Sequence, residues 1–314
     1  MKKYLVTGGA GFIGSNLVRE LLKQNNFVRV ADNFSTGKGE NLKEFLNNPN
    51  FELLEGDVTD LEFAKKSVMG MDFVLHQAAI PSVQRSVEDP VKSNNANING
   101  TLNMLVAARD AKIKKFVYAA SSSAYGENMQ LPKKEDMAAM PVSPYALQKY
   151  SGERYCQIFW KIYGLPTICL RYFNVFGPNQ DPNSQYSAVI PKFISAFLEE
   201  KSIEIFGTGE QGRDFTFVDN VVSANLLAAN SENGNGEVIN IACGGETSLN
   251  ELVKLLNEIT GKELVPNYNK ERQGDVMHSK ADISKAQVII GYKTLVPFKA
   301  GLEKTINWYK NNGK

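Results

Sequence analysis

At 314 residues the chain exceeds one average domain and can bury a substantial core, so one large domain with a smaller lobe is expected. Its 35 Lys and Arg against 34 Asp and Glu leave a formal charge of +1, mixed along the sequence, which argues against a nucleic-acid partner and against a charged membrane-binding tail. Three cysteines without C-x-x-C spacing (Cys156, Cys169, Cys243) and two histidines (His76, His278) point to a reduced cytoplasmic protein with no metal site.

Lys2-Lys3 imitates the start of a signal peptide, but the apolar run that follows breaks at Thr7-Gly8, and no window reaches transmembrane length. That run, Tyr4-Leu5-Val6, reads as a strand and leads directly into Gly8-Gly9-Ala10-Gly11-Phe12-Ile13-Gly14. Glycines spaced G-x-x-G-x-x-G between a strand and a helix make a pyrophosphate site. Gly8 permits the tight turn, Gly11 lets the backbone approach the phosphates, and Gly14 lets the helix over Asn16 to Lys23 pack on the sheet. Phe12 and Ile13, inside that turn, count as cofactor residues with the glycines.

The second strand, Phe27 to Ala31, ends on Asp32, roughly twenty residues past the glycines, where a carboxylate accepts both hydroxyls of an adenosine ribose. A ribose 2′-phosphate is repelled there, and Asn33 follows rather than an arginine. The cofactor is therefore NAD rather than NADP, with Arg29 and Lys38 the cations nearby that speak for the phosphate. Further strand-like runs at Phe73 to His76, Lys115 to Ala119 and Thr167 to Arg171 alternate with helical stretches at Asn99 to Ala111 and Pro144 to Tyr163. That alternation predicts a Rossmann-type α/β fold with a doubly wound parallel sheet. After about residue 173, loops rich in Asn, Gly, Pro and aromatics mark a smaller α/β lobe.

In the helix from Pro144, Tyr145 and Lys149 stand four residues apart and share one face. Ser143 suits its N-cap, Pro144 its first position and Gly164 its C-terminal stop. A tyrosine ionises near pH 10, so service as a base near neutrality needs a fall of about three units, roughly 4 kcal/mol, which a neighbouring ammonium and an oxidised nicotinamide supply. An isolated Y-x-x-x-K is most often an ordinary amphipathic helix; the glycine turn and Asp32 make it a catalytic pair. Upstream, Ser121-Ser122-Ser123-Ala124-Tyr125-Gly126 lies at the carboxyl end of a strand, where a parallel sheet places ligands, and a hydroxyl there bridges Tyr145 and a substrate hydroxyl.

With these motifs the chain resembles the extended short-chain dehydrogenase/reductase family, specifically its UDP-sugar 4-epimerase branch, over nearly its whole length. Further segments carrying the resemblance are Gly56-Asp57-Val58, His76 to Ala79, Asn97 to Thr101, Arg171 to Pro178, Gly207 to Phe215 and Arg272 to Asp275. The resemblance implies an NAD-binding domain over 1–172, to which 216–241 returns, and a UDP-sugar-binding lobe over 173–215 and 242–314. It implies that Asp57-Val58 holds the adenine, that Ala78, Ala79 and Asn97 line the cofactor groove, that Lys149 binds the nicotinamide ribose, and that Tyr172 also touches the cofactor. Ser121 is the expected relay, Ser122 remaining an alternative, with Ser122 and Ser123 facing the hexose. Asn174 and Arg213 are candidate phosphate contacts under a closing Arg272, Val189-Ile190 and Phe206 belong to segments that resemble uracil cradles, and Asp275 resembles a ribose ligand.

The implied reaction is inversion at C4: Tyr145 takes the C4 hydroxyl proton, NAD holds the hydride, and a transient 4-keto sugar turns over before both return. Sugar dehydratases of the family carry an Asp-Glu pair where this chain has Ser122-Ser123, which removes that chemistry. Ser279, seven residues past Arg272, replaces a bulky tyrosine seen in epimerases confined to unacetylated hexoses, so UDP-N-acetylglucosamine and UDP-N-acetylgalactosamine are the expected substrates, with UDP-glucose and UDP-galactose next. A UDP-glucuronate 4-epimerase, with Ser187 and Lys192 meeting the carboxylate, is the alternative enzyme. A non-catalytic NAD-sensing protein is the alternative of another class, and the retention of Tyr145 and Lys149 weighs against it. The resemblance also implies a homodimer packed through the helices at 99–111 and 144–163.

Overall fold

The computed structural model describes residues 1–181, 188–271 and 277–312. The first part of the chain runs β1 (Lys3–Thr7), α1 (Phe12–Lys23), β2 (Phe27–Asp32), β3 (Phe51–Glu55), α2 (Leu61–Val68), β4 (Phe73–His76), α3 (Val83–Glu88), α4 (Pro90–Asn94), a π-helical turn (Asn95–Asn99), α5 (Gly100–Asp110), β5 (Lys115–Ser121), α6 (Pro144–Tyr163) and β6 (Thr167–Tyr172). There follow β7 (Val175–Phe176), α7 (Val189–Glu199), β8 (Ile203–Phe206), β9 (Gly212–Arg213), β10 (Thr216–Phe217), α8 (Val218–Asn230) and β11 (Glu237–Ile241). The chain closes with β12 (Thr247–Ser248), α9 (Leu249–Thr260), β13 (Pro266–Asn269), β14 (His278–Ser279), α10 (Ser284–Ile290) and α11 (Phe298–Asn312).

Seven parallel strands form the main sheet in the order β11-β6-β5-β4-β1-β2-β3. The order reverses between β1 and β4, and such a switch point opens a crevice at the carboxyl ends of the strands. These strands read as nearly continuous apolar runs because helices cover both faces. Leu5, Val6, Val28, Val30, Val74, Leu75, Phe116, Val117, Ile168 and Leu170 are all fully buried. Helix α8 and strand β11 come from the later part of the chain but pack on and extend this sheet, with Glu237 to Ile241 in register with Ile168 to Tyr172.

Helix α6 forms where its end signals place it. Ser143 Oγ accepts from the Ala146 N–H at 3.2 Å, Pro144 occupies the first turn, and Gly164 closes the helix at φ +69°. Helix α1 starts earlier than its apolar pattern indicates, at Phe12, because Gly11 itself is the N-cap. The smaller lobe is built from short sheets: β10 with β7, β13 with β8, and β12-β9-β14. Most of these strands are only two residues long, with no readable periodicity, which is why the sequence shows loops between short elements there. Among the described residues no helix is long and apolar enough to cross a membrane, and no group of three His, Cys, Asp or Glu is placed to hold a metal ion.

Candidate active site

The crevice at the switch point is a cleft of about 430 Å³. Gly8, Gly11, Phe12, Ile13, Gly14, Asp32, Asn33, Asp57, Val58, Ala78, Ala79, Tyr145, Lys149 and Tyr172 all line it. The turn at its floor requires glycine. Gly8 has φ +67°, and a Cβ there would lie 2.8 Å from the Ala78 backbone; a Cβ on Gly14 would lie 2.1 Å from the Gly8 carbonyl oxygen. With a glycine N-cap and no capping side chain, the first N–H groups of α1 are left to an anion. This is the cradle a dinucleotide pyrophosphate needs.

At the end of β2, Asp32 accepts from the Ala10 N–H (2.9 Å) through one carboxylate oxygen and from the Phe34 N–H (2.8 Å) through the other. Burial raises its pKa against the pull of those two bonds. Each oxygen keeps a lone pair for a ribose hydroxyl. Asp57 also accepts from Asn33 Nδ2 (2.8 Å) and the Thr59 N–H (2.8 Å). Burial raises that carboxyl, but the hydrogen bonds from Thr59 and Asn33 outweigh it and the net shift is downward. The two cations near Asp32 are engaged. Arg29 reaches away to Glu52 (2.8 Å) and the carbonyls of Ser67 and Met69, and Lys38 pairs with Asp181 at 2.8 Å.

On the opposite wall, Tyr145 is hydrogen-bonded to Ser121; burial raises the phenol pKa and that bond lowers it. Lys149 is fully buried and donates from Nζ to the Ala119 carbonyl at 2.9 Å, with its ammonium 5.1 Å from the centre of the Tyr118 ring. Burial brings its pKa down to about 8 against the upward pull of Glu153. Burial outweighs the Ser121 bond, so the Tyr145 phenol lies above its ordinary range, while the Lys149 ammonium is anchored to β5. His76 is buried between Thr7 Oγ1 (2.7 Å) and Thr101 Oγ1 (3.1 Å) and is held neutral, its pKa pushed down to about 3 by burial and the Lys149 charge.

Several expectations need correction. Asn97 does not line the cleft. Its side chain is spent on Ile80, accepting from the N–H at 2.8 Å and donating to the carbonyl at 3.1 Å, and on Gln148 Oε1 at 2.8 Å, so it acts through the Ile80 backbone. Ser123 does not present a free hydroxyl to a hexose; both its N–H (3.2 Å) and its Oγ (2.9 Å) donate to Ser121 Oγ. Ile190 is buried in the core at 1% exposure, where a ligand cannot touch it, and Val189 packs partly against the same core. The Tyr172 hydroxyl is occupied by Asn225 and Gln77, although the ring lines the cleft.

In the smaller lobe, Arg213 on β9 stands in register with Ser279 on β14, and Glu246 Oε1 accepts from the Ser279 N–H at 3.2 Å. Asn174, at φ +33°, donates to the Asp214 carbonyl, while Phe206 closes β8 half-buried. Ser122 is likewise half-buried, in the short turn after β5. Arg272, Asp275 and Ser187 lie outside the described residues, and Lys192 is exposed on α7. Sequence reasoning passed over Ser82, Arg85 and Asn179 to Asp181, which also line the cleft. The last three directly follow Gly177-Pro178, so their place after a quoted motif was the available signal.

A family model described as the NAD dependent epimerase/dehydratase family matches residues 4–242. The chain belongs to that family. A UDP-N-acetylglucosamine 4-epimerase from Methanobrevibacter ruminantium, solved in complex with UDP-N-acetylmuramic acid, is 42% identical with a TM-score of 0.94, over 99% of this chain and 98% of that one. The UDP-glucose 4-epimerase of Thermotoga maritima, solved with UDP-glucose, is 40% identical with a TM-score of 0.93, over 99% of this chain and 100% of that one. The UDP-glucuronic acid 4-epimerase of Bacillus cereus, solved with UDP-glucuronic acid and NAD, is 35% identical with a TM-score of 0.91, over 98% of this chain and 99% of that one. Fold, cleft and relatives agree on a UDP-sugar 4-epimerase, an isomerase that uses NAD.

Proposed function

We propose that this epimerase inverts C4 of UDP-N-acetylhexosamines, interconverting the gluco and galacto forms, and also turns over UDP-glucose and UDP-galactose. The observation that carries the reading is the pairing of Ser279 with Arg213, which puts a small residue beside the arginine proposed to hold the diphosphate, where we place the acetamido group. The 42% identity to a UDP-N-acetylglucosamine 4-epimerase supports it. NAD supplies a reversible hydride acceptor for C4. Tyr145 takes the C4 hydroxyl proton and later returns it, and Ser121, bonded to Tyr145, passes or orients that proton. Lys149 holds the nicotinamide ribose from its anchor on Ala119. Arg213 and Asn174, with Arg272 and Asp275, hold the nucleotide.

A second reading, a UDP-glucuronate 4-epimerase, is favoured by the serine loop Ser121-Ser122-Ser123, which is similar to that of such enzymes, and by the 35% identity to one of them. Offering purified protein UDP-N-acetylglucosamine, UDP-glucose and UDP-glucuronate separately, and following each C4 epimer by proton NMR, separates the readings. Fastest turnover of the acetylated sugar is expected. Exclusive turnover of glucuronate replaces the first reading with the second. We also propose a homodimer: Leu147, Ile158 and Ile162 form an exposed apolar stripe along α6, at spacings that keep one helix face.

A further inference from the structure

The strongest unexplained contact around the cleft is the ion pair that crosses it. Lys38 comes from the loop after β2, where its N–H donates to the Ala10 carbonyl at 3.0 Å, and its neighbour Gly37 lies so close to Asp32 that a Cβ there would meet Oδ1 at 3.1 Å. Lys38 therefore sits beside the position where Asp32 receives a ribose. Asp181 comes from the far side, at the end of a loop that is itself tied down. Asn16 Nδ2 donates to the Pro178 carbonyl at 3.0 Å, Asn179 Nδ2 donates to Ser15 Oγ at 3.0 Å, and the Tyr309 hydroxyl donates to the Gln180 carbonyl. The Lys38 Nζ to Asp181 Oδ2 distance is 2.8 Å. Of the cations among the described residues that line the cleft, Lys38, Arg85 and Lys149, it is Lys38 that follows the strand ending on Asp32.

We propose that Asp181 is a determinant of dinucleotide selectivity: by engaging Lys38 it withholds the cation that a ribose 2′-phosphate would need. Asp32 disfavours the phosphate by direct repulsion, and Asp181 disfavours it by occupying its counter-charge. NADP then faces two carboxylates and no available ammonium, while NAD, uncharged at that hydroxyl, is indifferent to the pair. Selectivity of this kind is a difference between two affinities, set as much by what is denied to the competitor as by what is offered to the ligand.

The test uses full-length protein loaded with NAD, into which NADP is titrated while released NAD is measured by chromatography. Asp181→Asn is expected to lower the NADP concentration that displaces half of the NAD about fivefold, the range of a single part-exposed ion pair. The gain is expected to vanish in Asp181→Asn/Lys38→Met and to fade at high salt, since it rests on a screened charge. An unchanged displacement concentration in Asp181→Asn overturns the proposal. So does a gain that survives the loss of Lys38, because the loop would then be acting by closing the cleft on any dinucleotide. Both side chains are part-exposed, at 53% and 33%, so the variants are expected to fold.

Discussion

Arg171 and Glu153 meet in a two-point ion pair, Nε to Oε1 at 2.8 Å and Nη2 to Oε2 at 2.7 Å, sealed between β6 and the helix that carries Tyr145 and Lys149. The guanidinium also lies 4.6 Å from the centre of the Tyr125 ring, four residues past Ser121 in the serine loop. One buried contact thus fixes this helix, the adjacent strand and the loop against each other. Removing one partner strands the other charge, which costs about 3–5 kcal/mol, whereas replacing both with apolar groups costs far less. Glu153→Gln is expected to lower the unfolding free energy in urea by about 3 kcal/mol or more. Glu153→Met/Arg171→Met is expected to recover most of the loss. A double variant no more stable than Glu153→Gln would show that the pair is not an isolated unit.

The role proposed for Lys149 comes at the expense of stability. Its pKa falls from 10.5 to about 8 on burial, worth roughly 3 kcal/mol at 1.36 kcal/mol per unit. The sign follows from proton binding. Between about pH 8 and 10.5 the unfolded chain holds the proton and the folded chain has released it, so the unfolding free energy rises with pH in that window. Below about 8 the full cost of the buried ammonium is present. Lys149→Met is therefore expected to be more stable than the parent at pH 7, by up to about 3 kcal/mol, to lose the upward slope, and to lose turnover. Urea unfolding across this pH range with a parallel epimerisation assay checks all three; a destabilised variant would refute the account.

The serine loop makes a sharper distinction than its sequence allows. Ser121 Oγ collects both donors of Ser123 and is bonded to Tyr145, whereas among the described residues the Ser122 side chain makes no hydrogen bond to either. Ser121→Ala is expected to cut kcat about 100-fold, the scale of a lost proton-transfer partner, with KM little changed. Ser122→Ala is expected to stay within about threefold of the parent, as a change that leaves the Tyr145 contact intact. The reverse order would move the relay to Ser122.

Local signals carried most of what the sequence revealed. The glycine turn, Asp32 and the Tyr145 helix are each specified by residues close together in the chain, so turn geometry, strand length and helix caps identify them. What stayed hidden depends on distant segments meeting. Asn97 reads as a groove residue until Ile80 and Gln148 are seen to take up its amide. Lys38 reads as a candidate for NADP until Asp181, more than 140 residues later, is found against it. Ile190 carried a substrate role by resemblance, and the core claimed it because α7 turns that face inward with Phe193, Ile194 and Phe197.

The acetamido reading turns on Ser279, and a single substitution tests it. Ser279 is half-buried on β14, its N–H held by Glu246 and its carbonyl accepting from the Asp214 N–H at 2.7 Å, so the backbone is fixed whatever the side chain. A tyrosine there would extend an aromatic ring into the space beside Arg213. Ser279→Tyr is expected to reduce kcat/KM for UDP-N-acetylglucosamine by at least about 100-fold, the upper range for steric discrimination in a pocket, while UDP-glucose turnover stays within about threefold. Equal losses on both substrates would mean that the ring disturbs Arg213 rather than the acetamido space. Retention of both activities would place the N-acetyl group elsewhere and remove the argument for acetylated sugars.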